Sequence, residues 1–309
     1  MNTMPAGRLQ KIAGPLLLAA IVALGAVLAA PLAAREANPA RGQAKPQRHA
    51  PAPKSLRLYI FDCGNLKIDP TPYGFTPDQL ATADMSVPCF LVAHPKGTLL
   101  WDTGVLPDSV FASGSGGSIT QGRATVTKPL KAQLAAVGYA PADITYLALS
   151  HCHYDHTANA NDFAGATWLA RQAERDAMFS QPVAYARCIN PENFNALRNS
   201  KTVSLKDEDY DVFGDGTVIL KSAPGHTPGH QVLFLKLRKT GPIMLSGDLY
   251  HYPEERAQHH VPTTDFNREQ TAATREMIEA FLKKNGAQLW IQHDFTANAK
   301  LKKAPAYYE

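Results

Sequence analysis

The chain has 309 residues, of which 45% are hydrophobic and 19% charged, enough apolar material for an ordinary globular core. That composition excludes a collagen-like, coiled-coil or low-complexity chain. The formal charge of +4 gathers at one end: residues 1–54 carry seven of the 31 Lys and Arg and one of the 27 Asp and Glu, so the remainder carries −2. A basic face for nucleic acid is therefore not expected.

Arg8 and Lys11 precede a stretch of 23 residues without a charge, dominated by Ala, Leu, Ile and Val. This is the layout of a secretory signal peptide, expected over residues 1–34, with cleavage among the small residues at Ala29, Ala30, Ala33 and Ala34. The run also approaches the length of a spanning helix, so an uncleaved N-terminal anchor is the alternative; Gly14, Pro15, Gly25 and Pro31 interrupt it. Residues 35–54, with five Ala and four Pro, read as a solvated spacer, and the folded domain is expected over 55–309. The expected location is periplasmic or secreted, with no stable membrane partner unless the leader persists. Cys63, Cys89, Cys152 and Cys188 match no zinc spacing; most are expected as buried thiols, with a Cys63–Cys89 bridge as a candidate.

From Ser55 onward, short β-branched and aromatic runs bounded by Gly, Pro and Asp predict strands at Leu56–Cys63, Val87–Ala93, Thr98–Asp102, Ile144–Leu149, Thr217–Ser222, Gln231–Leu237, Ile243–Ser246 and Gln288–Gln292. Helical spacing predicts helices at Lys128–Val137, Leu169–Phe179 and Arg268–Lys284. Interleaved strands and helices in one segment point to a single α/β domain.

The chemistry is concentrated just past the strand ends. Ser150-His151-Cys152-His153-Tyr154-Asp155-His156 places four imidazole or carboxylate ligands in six positions, a donor set suited to zinc and neighbouring divalent metals. Further donors follow other apolar runs: Gly225-His226-Thr227-Pro228-Gly229-His230, Ser246-Gly247-Asp248 and Gln292-His293. Each alone reads as a surface His or Asp; the ordered set reads as one centre. For Phe111, Met178, Phe179 and Tyr185, in or beside two irregular stretches, lining an apolar groove competes with plain packing.

The string H-x-H-x-D-H, then G-H-T-P-G-H, S-G-D and a late His resembles the metallo-β-lactamase superfamily, and Asp102 in Trp101-Asp102-Thr103-Gly104 matches its early D-T-G element. The resemblance implies an αββα sandwich with two divalent cations at one edge, zinc being expected. Carried over by position, His151, His153 and His226 would hold one cation, Asp155, His156 and His293 the other, and Asp248 would bridge them. Asp102 would support the site from behind. The reaction implied is hydrolysis, a bridging hydroxide attacking a carbonyl carbon.

The segment Leu58–Gly64, the strand Val87–Val92 and the separations His156 to His226 (70), His226 to Asp248 (22) and Asp248 to His293 (45) look like those of N-acyl homoserine lactonases. Opening the lactone ring of such quorum-sensing signals is thus the expected activity, with another dinuclear carbonyl hydrolase (β-lactam, aryl ester or thioester) as the alternative. One position departs from the pattern: better-known lactonases have a Tyr three residues after the bridging Asp, whereas this chain has His251, flanked by Tyr250 and Tyr252. The candidate catalytic residues are Asp155, which doubles as a ligand, His251 by position, and Tyr250 next.

Overall fold

Alternation along the strands decides the layering. The structure, a computed structural model, describes residues 51–112, 117–180 and 185–309; the expected leader and most of the spacer lie outside them. Strand β1 (Arg57–Lys67) sends Leu58 and Ile60 to one face and Tyr59 and Phe61 to the other, as a two-residue period requires, and all four are buried. A strand covered on both faces has no polar side to display, which is why β1 reads as a nearly continuous apolar run.

Two sheets result. One contains β1, β2 (Asp84–His94), β3 (Gly97–Trp101), β4 (Ile119–Gln121), β5 (Ala124–Val126), β6 (Tyr146–Ala148), β7 (Thr167–Arg171) and β8 (Thr202–Leu205), in the order β4-β5-β1-β2-β3-β6-β7-β8, with β14 (Tyr307–Tyr308) also on β1. The other runs β13-β12-β11-β10-β9, from β9 (Tyr210–Asp211), β10 (Val218–Ser222), β11 (Gln231–Leu237), β12 (Gly241–Leu245) and β13 (Gln288–Trp290). Leu58, Ile60, Val92 and Trp101 meet Leu220, Leu233, Leu235 and Leu245 in the core between them. The outer face of the first sheet packs Leu130 and Leu134 of α1 (Leu130–Ala136), and that of the second packs Ile278 and Leu282 of α5 (Arg268–Asn285). This is the expected αββα sandwich. Among the described residues, no helix is long and apolar enough to cross a membrane.

Three differences from the sequence reading have physical causes. The helix expected over Leu169–Phe179 begins only at Gln172 (α3, Gln172–Phe179), because Thr167–Arg171 pairs as β7 in parallel between β6 and β8. A short apolar run carries no period of its own, and sheet pairing claimed it. The cysteines are not buried thiols: Cys63 bonds Cys89, as the candidate bridge had it, and Cys152 bonds Cys188. Short strands β4, β5, β8, β9 and β14, and helices α2 (Tyr154–Thr157), α4 (Pro253–Gln258) and α6 (Phe295–Lys300), carried too little periodicity to be read.

Candidate metal centre

Strands β3, β6, β10, β12 and β13 all end at one edge of the sandwich, and each hands its next residues to the same place. Beyond β6 come His151 and then His153, the latter with extended backbone at the N-cap of α2, so Asp155 and His156 leave from that single-turn helix. His226 follows β10, Asp248 follows β12 and His293 follows β13. All seven predicted ligands are at least nine-tenths buried.

They form two groups around Asp248. Its Oδ2 lies 3.5 Å from His151 Nε2 and 3.3 Å from His226 Nε2, while His226 Nε2 faces His153 Nδ1 at 3.1 Å. Its Oδ1 lies 3.1 Å from His156 Nε2 and 3.0 Å from His293 Nε2, and both nitrogens stand 3.5–3.6 Å from Asp155 Oδ2. Tetrahedral bonds of about 2.0–2.2 Å would set neighbouring donors about 3.3–3.6 Å apart, close to these separations. Buried His151 Nε2, His156 Nε2 and Asp248 Oδ1 have no hydrogen-bond partner, since they point toward common centres rather than at one another. Unpaired buried polar atoms are expensive in a folded protein. Nitrogen and carboxylate donors converging in sets of His151, His153, His226 and Asp248, and of Asp155, His156 and His293, fit a pair of divalent cations.

Three of the histidines are held from behind by their other ring nitrogen. Asp102 accepts from His156 Nδ1 at 2.9 Å, from the Ser150 backbone N–H at 2.6 Å and from Gln292 Nε2 at 2.9 Å. Its own backbone is left-handed, with φ of 57°, a strained conformation kept by those bonds. His226 Nδ1 donates to Asp265 Oδ1 at 2.9 Å, and Thr271 Oγ1 donates to Asp265 Oδ2 at 2.8 Å. Burial alone would raise the Asp265 carboxyl; His226 and Thr271 outweigh it and bring it to about 2. His293 Nδ1 donates to the Ser86 carbonyl at 2.8 Å. Fixing one ring nitrogen this way orients the other, as metal-ligating imidazoles require.

Charge follows the same geometry. Burial drives His151 and His153 well below the ordinary imidazole range. Burial also opposes charge on His156, but Asp248, Asp102 and Asp155 overcome it and lift that ring well above the range. Asp248 is held well below the usual carboxylate range by the histidines around it, against its own burial.

His251 reaches the centre as its position suggested: Nε2 lies 3.3 Å from Asp248 Oδ2, and Nδ1 donates to Glu255 Oε1 at 3.2 Å, whose other oxygen takes Arg275 Nη2 at 2.6 Å. Burial lowers this ring, yet Glu255 and Asp248 raise it to about 10. Tyr250 is a correction to the sequence reading. Its hydroxyl donates to Glu279 Oε1 at 3.2 Å and the Arg275 guanidinium stacks 4.2 Å over its ring, so it faces away from the His/Asp cluster and packs under α5. His230 takes a supporting place, accepting from the Asp248 backbone N–H at 2.9 Å.

A cavity of about 160 Å³ opens over the centre, with Leu66, Ile68, Tyr73, Met85 and Ile189 among its walls. Of the groove candidates, only Tyr185 borders the site, its hydroxyl 3.3 Å from His153 Nε2; Met178 and Phe179 are core residues, and Phe111 lines a different cavity. Asp265, Gln292 and the walls on β1 and β2 had escaped the sequence reading. No motif spacing marks them.

Comparison with known proteins agrees with this geometry. The model for the metallo-beta-lactamase superfamily matches residues 83–293, which takes in all seven ligands. N-acyl homoserine lactonase AttM of Azorhizobium caulinodans is 29% identical over 260 residues, covering 82% of this chain and 99% of its own length. An N-acyl homoserine lactonase of a Bacillus species is 28% identical over 256 residues, covering 81% and 98%. A solved N-acyl homoserine lactone hydrolase, with N-hexanoyl-L-homoserine at its catalytic metal centre, superposes with a TM-score of 0.65 at 25% identity over 81% of this chain and 98% of that one. The dizinc lactonase AidC shares the fold, with a TM-score of 0.59 at 20% identity over 82% of this chain and 94% of that one. Because the family's matched stretch ends on the same His293 that β13 delivers to the site, sequence and geometry agree: the chain belongs to the metallo-beta-lactamase superfamily.

Proposed function

We propose that this protein hydrolyses the ring of N-acyl homoserine lactones with the help of two divalent cations, zinc being the proposed native metal. The observation that carries the reading is a seven-ligand centre at the floor of a cleft with apolar walls, a shape suited to a neutral substrate with a polar ring and an apolar tail. Relatives named as lactonases, aligned over nearly their whole length, support it.

When bound, such a cation pair polarises a carbonyl oxygen and lowers the pKa of water to about 7. The remaining work falls to the chain. His151, His153 and His226 would hold one cation, Asp155, His156 and His293 the other, and Asp248 offers one oxygen to each group of histidines. Leu66, Ile68 and Met85 exclude water beside them. Ring opening adds water across the acyl C–O bond, and the departing ring oxygen must gain a proton. His251, braced by the buried Glu255–Arg275 pair, is the side chain placed to supply it.

The test is turnover of short- and long-chain acyl homoserine lactones by metal-loaded protein, followed by proton release against a chelated control. Ring opening above that control is expected. Faster turnover of nitrocefin, aryl esters or thioesters would replace this reading with the other carbonyl hydrolase. We also infer export, which the two disulfides support, since such bonds persist in oxidising compartments; fractionation of cells expressing the full chain tests it.

A further inference from the structure

Glu174 belongs to none of the motifs above, yet its carboxylate joins two of them. It sits on α3, 4% exposed. Oε1 accepts from the Cys152 backbone N–H at 2.7 Å, between His151 and His153. Oε2 accepts from Thr227 Oγ1 at 2.8 Å and from the Gly229 N–H at 2.8 Å, directly after His226. One side chain therefore spans the two loops that supply His151, His153 and His226, and it makes no such bond to Asp155, His156 or His293.

The approach is built into the backbone. A Cβ on Gly229 would lie 2.4 Å from the Glu174 N, so only glycine lets the turn come this close. The Cys152–Cys188 bond separately fastens the first loop to the chain beyond α3. A buried carboxylate is a costly way to join loops: burial pushes its pKa up, and the three groups that donate to it are neutral. Structure alone would be served more cheaply by a neutral group. A neighbouring divalent cation would make the negative charge favourable.

We propose that Glu174 is a positioning residue that sets the mutual geometry of His151, His153 and His226 and thereby governs the affinity of one cation of the pair. This rests on the two-cation reading above. Glu174→Gln keeps the shape but turns an acceptor into a donor, so either Cys152 N–H or the Thr227 and Gly229 donors face an N–H.

The measurement is stepwise competition with a chelator, with cobalt-substituted spectra recorded at each step. The wild-type chain is expected to hold two cations. In Glu174→Gln, one is released on the order of 10–100-fold more readily while the other keeps its affinity, and the spectral change matches that of Asp265→Asn, which loosens His226. Thr227→Val, which removes a single donor, should give the same selective loss in smaller measure; it carries the test if Glu174→Gln does not fold. Equal loss of both cations, or no loss, would overturn the proposal. Failure of the wild-type chain to take up two cations would overturn the two-cation reading itself, and the proposal with it.

Discussion

Asp248 owes its role to the two directions of one carboxylate, each oxygen facing a different set of imidazoles. At this scale the consequences of substitution are sharp. His251→Phe should lower kcat by about 10²–10³-fold with KM little changed, because it removes a proton donor and keeps the ring's bulk; His251→Tyr should restore part of the rate, read by steady-state kinetics. Asp102→Asn should weaken the His156 cation about 10–100-fold in chelator competition, since the amide disturbs the bond that aims that ring. The seven residues that cluster at this edge were legible because strand ends, and the motif that follows each, are local properties. Asp265 and Glu174 were not, because a supporting carboxylate acts through contacts 39 and 22 residues away in the chain, and neither distance is encoded in a local pattern. Tyr250 and His251 are neighbours, and which one faces inward depends on the path of the chain after Gly247.

That path is a property of elements. Gly247 has φ of 49°, and a Cβ there would lie 2.6 Å from His230 Nε2 and 2.8 Å from Ser150 Cβ. Gly247→Ala should therefore destabilise the fold by about 1–3 kcal/mol and shift Asp248, visible as a lower Tm together with lower metal occupancy. The segment between α3 and β8 brings Tyr185 and Ile189 to the cleft, and Cys188 ties it to the metal loop across 36 residues. Cys188→Ala should cost about 2–4 kcal/mol in thermal or denaturant unfolding and raise KM more than it lowers kcat, since the wall moves while the ligands stay. The same neighbourhood explains the misread helix. Trp168-Leu169-Ala170 is apolar enough for either state, and pairing between β6 and β8 made it strand.

For the whole molecule, two sheets stacked through one apolar layer hold five strand ends in register, and metal bound at the proposed centre would stabilise that arrangement by binding the folded state in preference to the unfolded chain. Chelation should abolish hydrolysis and lower Tm, by about 2.7 kcal/mol of lost stability where free metal had stood 100-fold above its dissociation constant, and added zinc should restore both. Far from the site, Ile278→Ala on α5 should cost about 2–5 kcal/mol in stability with kcat of the folded fraction unchanged. By itself the sequence carried the α/β class, the set of candidate donors and the charge asymmetry between residues 1–54 and the rest of the chain, since periodicity, ligand chemistry and composition are written in neighbouring residues, while the sandwich was implied by the family resemblance. Only the tertiary structure decided which side chains brace the candidate ligands, how the cysteines pair and that His251 rather than Tyr250 faces Asp248. Those outcomes depend on contacts between segments far apart in the chain, made once the sheets have packed.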